Sequence, residues 1–134
     1  MTENNRLDIS LLMLRLTFGG FMILNHGLRK LDKLMAGPPI KFADPFGVGA
    51  ELSLQLAVLG EVICPIFIIL GLFTRVAAIP ALITMLVAAF IIHGADPLGD
   101  KEHALLFGVG YLVIMILGPG RISIDAWWKS QQLV

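Results

Sequence analysis

The sequence predicts an all-α integral membrane protein, an antiparallel four-helix bundle with both termini on the same side. Composition is the first reason: 57% of the 134 residues are hydrophobic and 15% charged, against about a quarter charged in soluble domains, and mean hydropathy is +0.84. The second is the distribution of apolar residues, which fall into four runs near the roughly 20 residues that cross about 30 Å of hydrocarbon. The third is the punctuation, since the connections carry the charges, prolines and most of the glycines. Together these features fill the chain, so residues 1–134 read as one transmembrane domain. Helices are expected over about 9–30, 51–73, 75–93 and 101–118, with an interfacial tail over 121–134.

The first run, Ile9 to Leu28, holds one full charge, Arg15, and ends in Asn25 and His26. No small-x-small site follows it and three further apolar runs do, so it reads as a retained span rather than a signal peptide. Arg29, Lys30, Asp32 and Lys33 mark the water boundary. The connection that follows is rich in Gly and Pro, and Phe42 and Phe46 among its prolines place it against the bundle or the lipid interface, as a lid would lie. The second run, Leu52 to Phe73, carries a single charge, Glu61, with Gly60 before it and Pro65 four residues after it. Thr74 and Arg75 make a connection so short that the second and third helices form an antiparallel hairpin, with Thr74 as a plausible N-cap.

The third run, Val76 to Ile92, is uncharged, and Ala77, Ala81, Thr84 and Ala88 form a small-residue stripe suited to close helix packing. A polar turn over 93–101 precedes the fourth helix, with Asp100 placed to cap a helix starting at Lys101. Its apolar stretch is short, so to span it must take Glu102 and His103 into its first turn. Gly118, Pro119 and Gly120 end it, and Trp127 and Trp128 suit a headgroup-level tail. The side holding the termini carries Arg6, Arg75, Arg121 and Lys129, and the other carries Arg29, Lys30, Lys33, Lys41 and Lys101, so charge alone does not orient the bundle.

Several function classes are excluded. Ten basic residues balance ten acidic ones and no zinc-finger spacing or basic arm is present, so there is no nucleic-acid surface. The single Cys64 rules out an internal disulfide, a CxxC pair and a thiolate metal cage, and reads as a small buried hydrophobe rather than a nucleophile. No HExxH or CxxCH motif occurs, so no metal site is assigned, and no Walker loop, GxGxxG or GxSxG supports nucleotide or acyl chemistry.

Arg15 and Glu61, each the sole charge of an apolar span, are expected to meet as a buried pair, either fixing register or floating a polar floor for a ligand. Arg15 and His26 share a helix face with Gly19 and Met22, and that face should point inward. His26, His93 and His103 all fall toward the side opposite the termini, where imidazoles can ligate a haem or bond the carbonyls of a quinone. Tyr111 is the only tyrosine, and Glu61 is an expected partner for its hydroxyl.

The strings Leu14-Arg15-Leu16, His26-Gly27-Leu28-Arg29-Lys30-Leu31, Gly60-Glu61 and Leu70-Gly71-Leu72-Phe73-Thr74-Arg75 resemble the DoxX family of small four-helix bacterial membrane proteins. Lys101-Glu102 and Gly118-Pro119-Gly120-Arg121-Ile122-Ser123-Ile124-Asp125 resemble the family's closing motif, so the likeness covers roughly Leu11 to Asp125. It implies a bacterial inner-membrane protein with cytoplasmic termini and, because the family takes its name from a subunit of a thiosulfate:quinone oxidoreductase, a quinone-linked role in redox or oxidative stress. This sequence has no second cysteine and no evident thiosulfate site, so only the quinone link is carried over.

The resulting expectation is a quinone-linked oxidoreductase, or the membrane subunit of one, with Glu61, His26 and His103 as proton-handling catalytic groups. Arg15, Lys30, Glu102, Tyr111 and His93 would bind the quinone or a similar lipophilic redox molecule. Electrons would come from a partner redox protein or soluble reductant, and a homo-oligomer in the lipid is compatible with the same reading. The alternatives are a non-catalytic scaffold subunit docking another enzyme and, less favoured, a haem-binding electron carrier using two of the three histidines.

Overall fold

The computed structural model describes residues 2–132. Every regular element in them is helical: α1 Glu3–Ala36, α2 Ala50–Leu70, α3 Thr74–Ile92, α4 Leu98–Leu117 and α5 Ile124–Gln132. The first three are long and apolar enough to cross a membrane. α4 is long enough, but any 18-residue stretch of it takes in the three charges Asp100, Lys101 and Glu102. α1 packs on α2 and α4, and α3 packs on α2 and α4. The core between them holds Met22, Ile68, Ala78, Ala81, Tyr111 and Ile114. Large apolar side chains such as Met13, Leu24, Phe90 and Val109 face outward, as lipid requires.

The helix ends differ from the sequence reading in instructive ways. α1 begins at Glu3, not near Ile9, because the Thr2 hydroxyl accepts from the Asn5 N–H. It then runs through the charged stretch to Ala36, some six residues past the expected helix end. At 34 residues it is about 51 Å long and overshoots the hydrocarbon. α4 begins at Leu98 with Pro97 at the cap position, so Asp100 lies in the first turn instead of capping. There it still faces the positive end of the helix dipole.

Thr74 does not cap α3 with its own side chain. The cap position is Phe73, in the left-handed region at φ 46°. Asp125 performs the capping: its carboxylate accepts from the N–H of Phe73 at 2.8 Å, the N–H of Thr74 at 3.0 Å and the Thr74 hydroxyl at 3.0 Å. The preceding turn closes at Gly71, whose φ of 70° is free of Cβ strain and lets the Leu72 N–H reach the Phe67 carbonyl at 2.9 Å.

Each of the three membrane-capable helices contains one π-turn, at Ile23–Gly27, Leu59–Ile63 and Ala88–Ile92. Their hydrogen bonds run from the Leu28 N–H to the Ile23 carbonyl, from Cys64 to Leu59 and from His93 to Ala88. In α2 the sequence gives a reason, because Pro65 has no N–H for the Glu61 carbonyl four residues earlier. Such single widened turns gather at functional sites.

Candidate functional site

The widened turns of α1 and α2 meet around Glu61. Gly27 lies so close to α2 that a Cβ there would stand 2.5 Å from the Glu61 carbonyl oxygen, and a Cβ on Gly60 would overlap the Thr84 side chain of α3. Two glycines thus let three backbones converge at one level. Glu61 is only 3% exposed, and its Oε1 accepts from the Lys30 ammonium of α1. Lys30 reaches it because α1 continues as a helix beyond Gly27. The other carboxylate oxygen, Oε2, is the one buried side-chain oxygen or nitrogen among the described residues without a hydrogen-bond partner.

Lys30 and Glu61 line a cavity of about 500 Å³ between α2, α3 and the 37–49 segment. Leu56, Leu59, Pro80, Ile83, Val87, Ala88 and Ile92 supply its apolar wall, and His93 stands at its edge. The segment over it contributes Phe42, Ala43, Pro45 and Phe46. Phe42 is half-buried on Leu54, Val58 and Val62, with the Lys30 and Lys33 ammonium groups 5.9 and 6.0 Å from its ring centroid. The segment is therefore a strap lying on the helices, as its phenylalanines suggested. Asp44 staples its far end to α2, accepting from the Gly49 N–H at 2.8 Å, the Val48 N–H at 2.9 Å and the Ser53 hydroxyl at 3.0 Å. The Gly49 N–H, with the Ser53 hydroxyl and the Val48 N–H behind it, holds the Asp44 carboxyl below its ordinary range.

The expected Arg15–Glu61 pair does not form. Arg15 is 2% exposed, but its guanidinium donates to backbone carbonyls: Ile68 at 2.9 Å, Ile69 at 2.9 Å, Pro119 at 2.5 Å and Ile122 at 2.8 Å. The C-terminal carbonyls of α2 and those of the turn after α4 are satisfied together by one forked cation. Ile68 lies seven residues, about 10 Å, along α2 from Glu61. Arg15 is consequently a structural bolt, and the inward face it shares with Gly19 and Met22 is core, not floor. Tyr111 is likewise fully buried in the core, where its hydroxyl donates to the Phe18 carbonyl at 3.3 Å rather than to Glu61.

Of the other predicted residues, His93 joins Lys30 and Glu61 at the cavity, its Nδ1 2.7 Å from Asp96 Oδ2. His26, half-buried, packs edge-on against Phe107 with ring centroids 5.8 Å apart. Glu102 and His103 are exposed at the start of α4 and do not line the cavity. Cys64 is buried beside the site and makes no bond. Sequence reasoning missed the Asp44 staple and the far-end tie in which Arg121 donates to Asp8, from its N–H at 2.8 Å and from Nε at 2.6 Å. An Asp followed by Val48-Gly49 at a helix start was the available signal for the first; nothing local announces the second.

A protein-family model described as DoxX matches residues 10–94, more than half of the chain. Every residue lining the cavity, from Lys30 to His93, falls inside that match, whereas α4 and the closing motif lie beyond it. Two uncharacterized proteins of Haemophilus influenzae are similar: one is 30% identical over 78% of this chain and 81% of its own length, the other 28% identical over 91% and 85%. An uncharacterized membrane protein of Mycobacterium tuberculosis is 29% identical over 79% of this chain and 74% of its own length. No solved structure matches the chain.

Proposed function

The chain belongs to the DoxX family of membrane proteins, and we propose that it is the quinone-holding membrane component of an oxidoreductase. In this reading residues 1–134 form one four-helix bundle in a bacterial inner membrane, with both termini on the cytoplasmic side. The observation that carries the proposal is Glu61. A carboxylate 3% exposed, ion-paired through one oxygen and unpartnered at the other, lines an apolar cavity of about 500 Å³. Leaving such an oxygen unbonded costs about 1–3 kcal/mol, a cost that a ligand bond relieves. Small-molecule sites have this constitution: about 300–1,000 Å³, apolar walls and a few convergent polar groups.

The residues present fit a substituted ring with an isoprenoid-like tail. Lys30 and Glu61 hold the ring's polar edge, while Leu59, Ile83 and Val87 cover its apolar face and exclude water. When bound, a quinone supplies an exchange of two electrons and two protons. The chain's own task is to orient the ring and hold a proton at the Glu61 carboxylate, with His93 leading toward the water side and His26, Glu102 and His103 serving the same side. Electrons pass through a partner protein that carries its own redox group. Arg15 and Tyr111 take no part in binding and keep the bundle closed.

Mass spectrometry of the organic extract from gently purified protein tests the reading. Quinone is expected at about one per chain, and to be lost in Ala88→Phe, which fills the cavity from α3. Wild-type extract containing only bulk phospholipid would overturn the quinone site.

A further inference from the structure

Resting on the quinone-site reading, we infer that the cavity is a groove open to hydrocarbon between α2 and α3, and that it takes its ligand from the bilayer and leaves the ligand's tail there. The floor and the rim of the cavity differ in kind. Along the floor lie Ser53 and Glu61, buried, and Ala57, Thr84 and Ala88, half-buried. Along the rim stand bulky side chains, Leu56 and Leu59 of α2 and Ile83 and Ile92 of α3, each between 41% and 54% exposed. A closed pocket would bury the apolar side chains that line it, whereas these four keep a large share of their surface outside. All four belong to the membrane-capable stretches Ala50–Leu70 and Thr74–Ile92, so their outer faces meet lipid rather than water.

The two ends of the groove are unlike. At the end beside His93 the strap lies across it, with Phe42 seated on Leu54, Val58 and Val62 and with Asp44 bonded to Val48, Gly49 and Ser53. A ligand entering there must break these contacts and bring any long tail through water. From Ile92 the lining continues along α3 to Pro80, about 18 Å further down and more than half of the roughly 30 Å of hydrocarbon. A ring seated under the strap beside Lys30, whose side chain is 29% exposed, has its tail directed along this groove and out past Leu59 and Ile83. An apolar tail gains little by leaving lipid for a groove of Leu and Ile, because lipid is as apolar as they are. The protein therefore recognises the ring and the first part of the tail and is indifferent to the rest, and a cavity of about 500 Å³ need not enclose the whole ligand.

The test uses the full chain in phosphatidylcholine nanodiscs, titrated with radiolabelled decyl-benzoquinone and with the same ring carrying a long isoprenoid tail, each read as probe per chain above protein-free discs. Wild type is expected to bind the two within about 3-fold at equal mole fraction in the lipid. Ile83→Trp, which sets a larger ring across the rim, should weaken both by about 10-fold. Phe90→Trp, exposed on the same helix but away from the cavity, should leave both unchanged. A long-tailed probe bound more than about 3-fold more weakly than the decyl probe means an enclosed cavity, and overturns the inference while leaving a quinone site standing. Unchanged binding in Ile83→Trp, or an equal loss in both variants, overturns it in the same way. Failure of both probes to bind wild type overturns the inference and the quinone site together. The wild-type comparison decides the matter without either variant, so a folding defect in Ile83→Trp does not shelter the inference.

Discussion

The sequence offers Arg15 as the partner of Glu61 and the structure pairs it with Lys30, and double-mutant cycles distinguish the two. The perturbations are Lys30→Met, Arg15→Met and Glu61→Gln, singly and in the two pairs that include Glu61. Lys30 and Glu61 form an ion pair whose side chains are 29% and 4% exposed. Breaking a buried pair costs about 3–5 kcal/mol, and the partial exposure of Lys30 places its loss near 3 kcal/mol. Once Glu61 is Gln there is no buried charge to strand, and Lys30→Met should cost only the residual hydrogen bond, about 1 kcal/mol. The coupling is the difference, about 2 kcal/mol, within the usual range for touching residues.

Arg15→Met removes a donor from four carbonyls, two of them on the turn after α4 where water can replace it. The single loss should be about 3–5 kcal/mol. It should be the same whether position 61 is Glu or Gln, because the two residues share no partner. Their coupling should stay within about 0.5 kcal/mol. Unfolding in mixed dodecylmaltoside and SDS micelles, followed by far-UV circular dichroism, gives all the values. A coupling above about 1 kcal/mol between Arg15 and Glu61, or none between Lys30 and Glu61, would refute the assignment of partners.

Two further predictions concern the frame around the site. Gly60→Ala drives a Cβ into Thr84 where α2 meets α3 and should destabilise by about 1–3 kcal/mol, whereas Gly20→Ala, with nothing within 4 Å of the new methyl, should stabilise by about 0.5–1 kcal/mol; thermal unfolding in detergent measures both. Asp44 has its carboxyl pKa lowered by the strap's N–H groups, so its hold on the strap is complete above its ordinary value of about 3.9 and is lost as pH falls through the lower folded value. Acid-stable pepsin should cut the strap increasingly as pH drops through that window, while Asp44→Asn should be cut readily at the upper end of it and show little further change. A wild-type strap equally resistant across the window would count against the staple.

The spans were legible because lipid imposes a coarse rule: apolar runs of sufficient length, separated by Gly, Pro and charge. That rule located α1, α2 and α3 and the fourth helix with charges near its start. Partners were not legible in the same way. Arg15 looked like half of a pair because a sequence displays the charge and hides its acceptors, which are main-chain carbonyls of Ile68, Ile69, Pro119 and Ile122. Lys30 reads as a boundary residue and a ligand contact but not as Glu61's partner, although one more turn of helix turns it inward onto Glu61. The caps failed for a related reason: Asp125 reaches Phe73 and Thr74 from 52 and 51 residues away, beyond any local motif. Of the predicted ligand-handling residues, Glu61, Lys30 and His93 share the cavity, and the shared feature was depth along neighbouring helices rather than spacing along one.

The distribution of polar bonds divides the molecule into a tied end and an adaptable one. At the end holding the 71–73 turn and residues 118–125, Arg15 locks α1 to α2 and to the turn after α4. Asp125 caps α3 there, and Arg121 is tied to Asp8. These bonds fix the helices at that end. Toward the other end the backbone carries the three π-turns, and the 37–49 strap rests on α2 through Phe42 and the Asp44 staple. A binding site needs its polar groups held in register and its walls able to admit a ligand. Anchoring at one end supplies the first, and widened turns with a lightly fastened cover supply the second. Lys30 joins the two requirements, since the ammonium that pairs with Glu61 also lies over the ring of Phe42. Any ligand that draws Lys30 away from either partner alters the contact of the strap as well as the charge at the carboxylate.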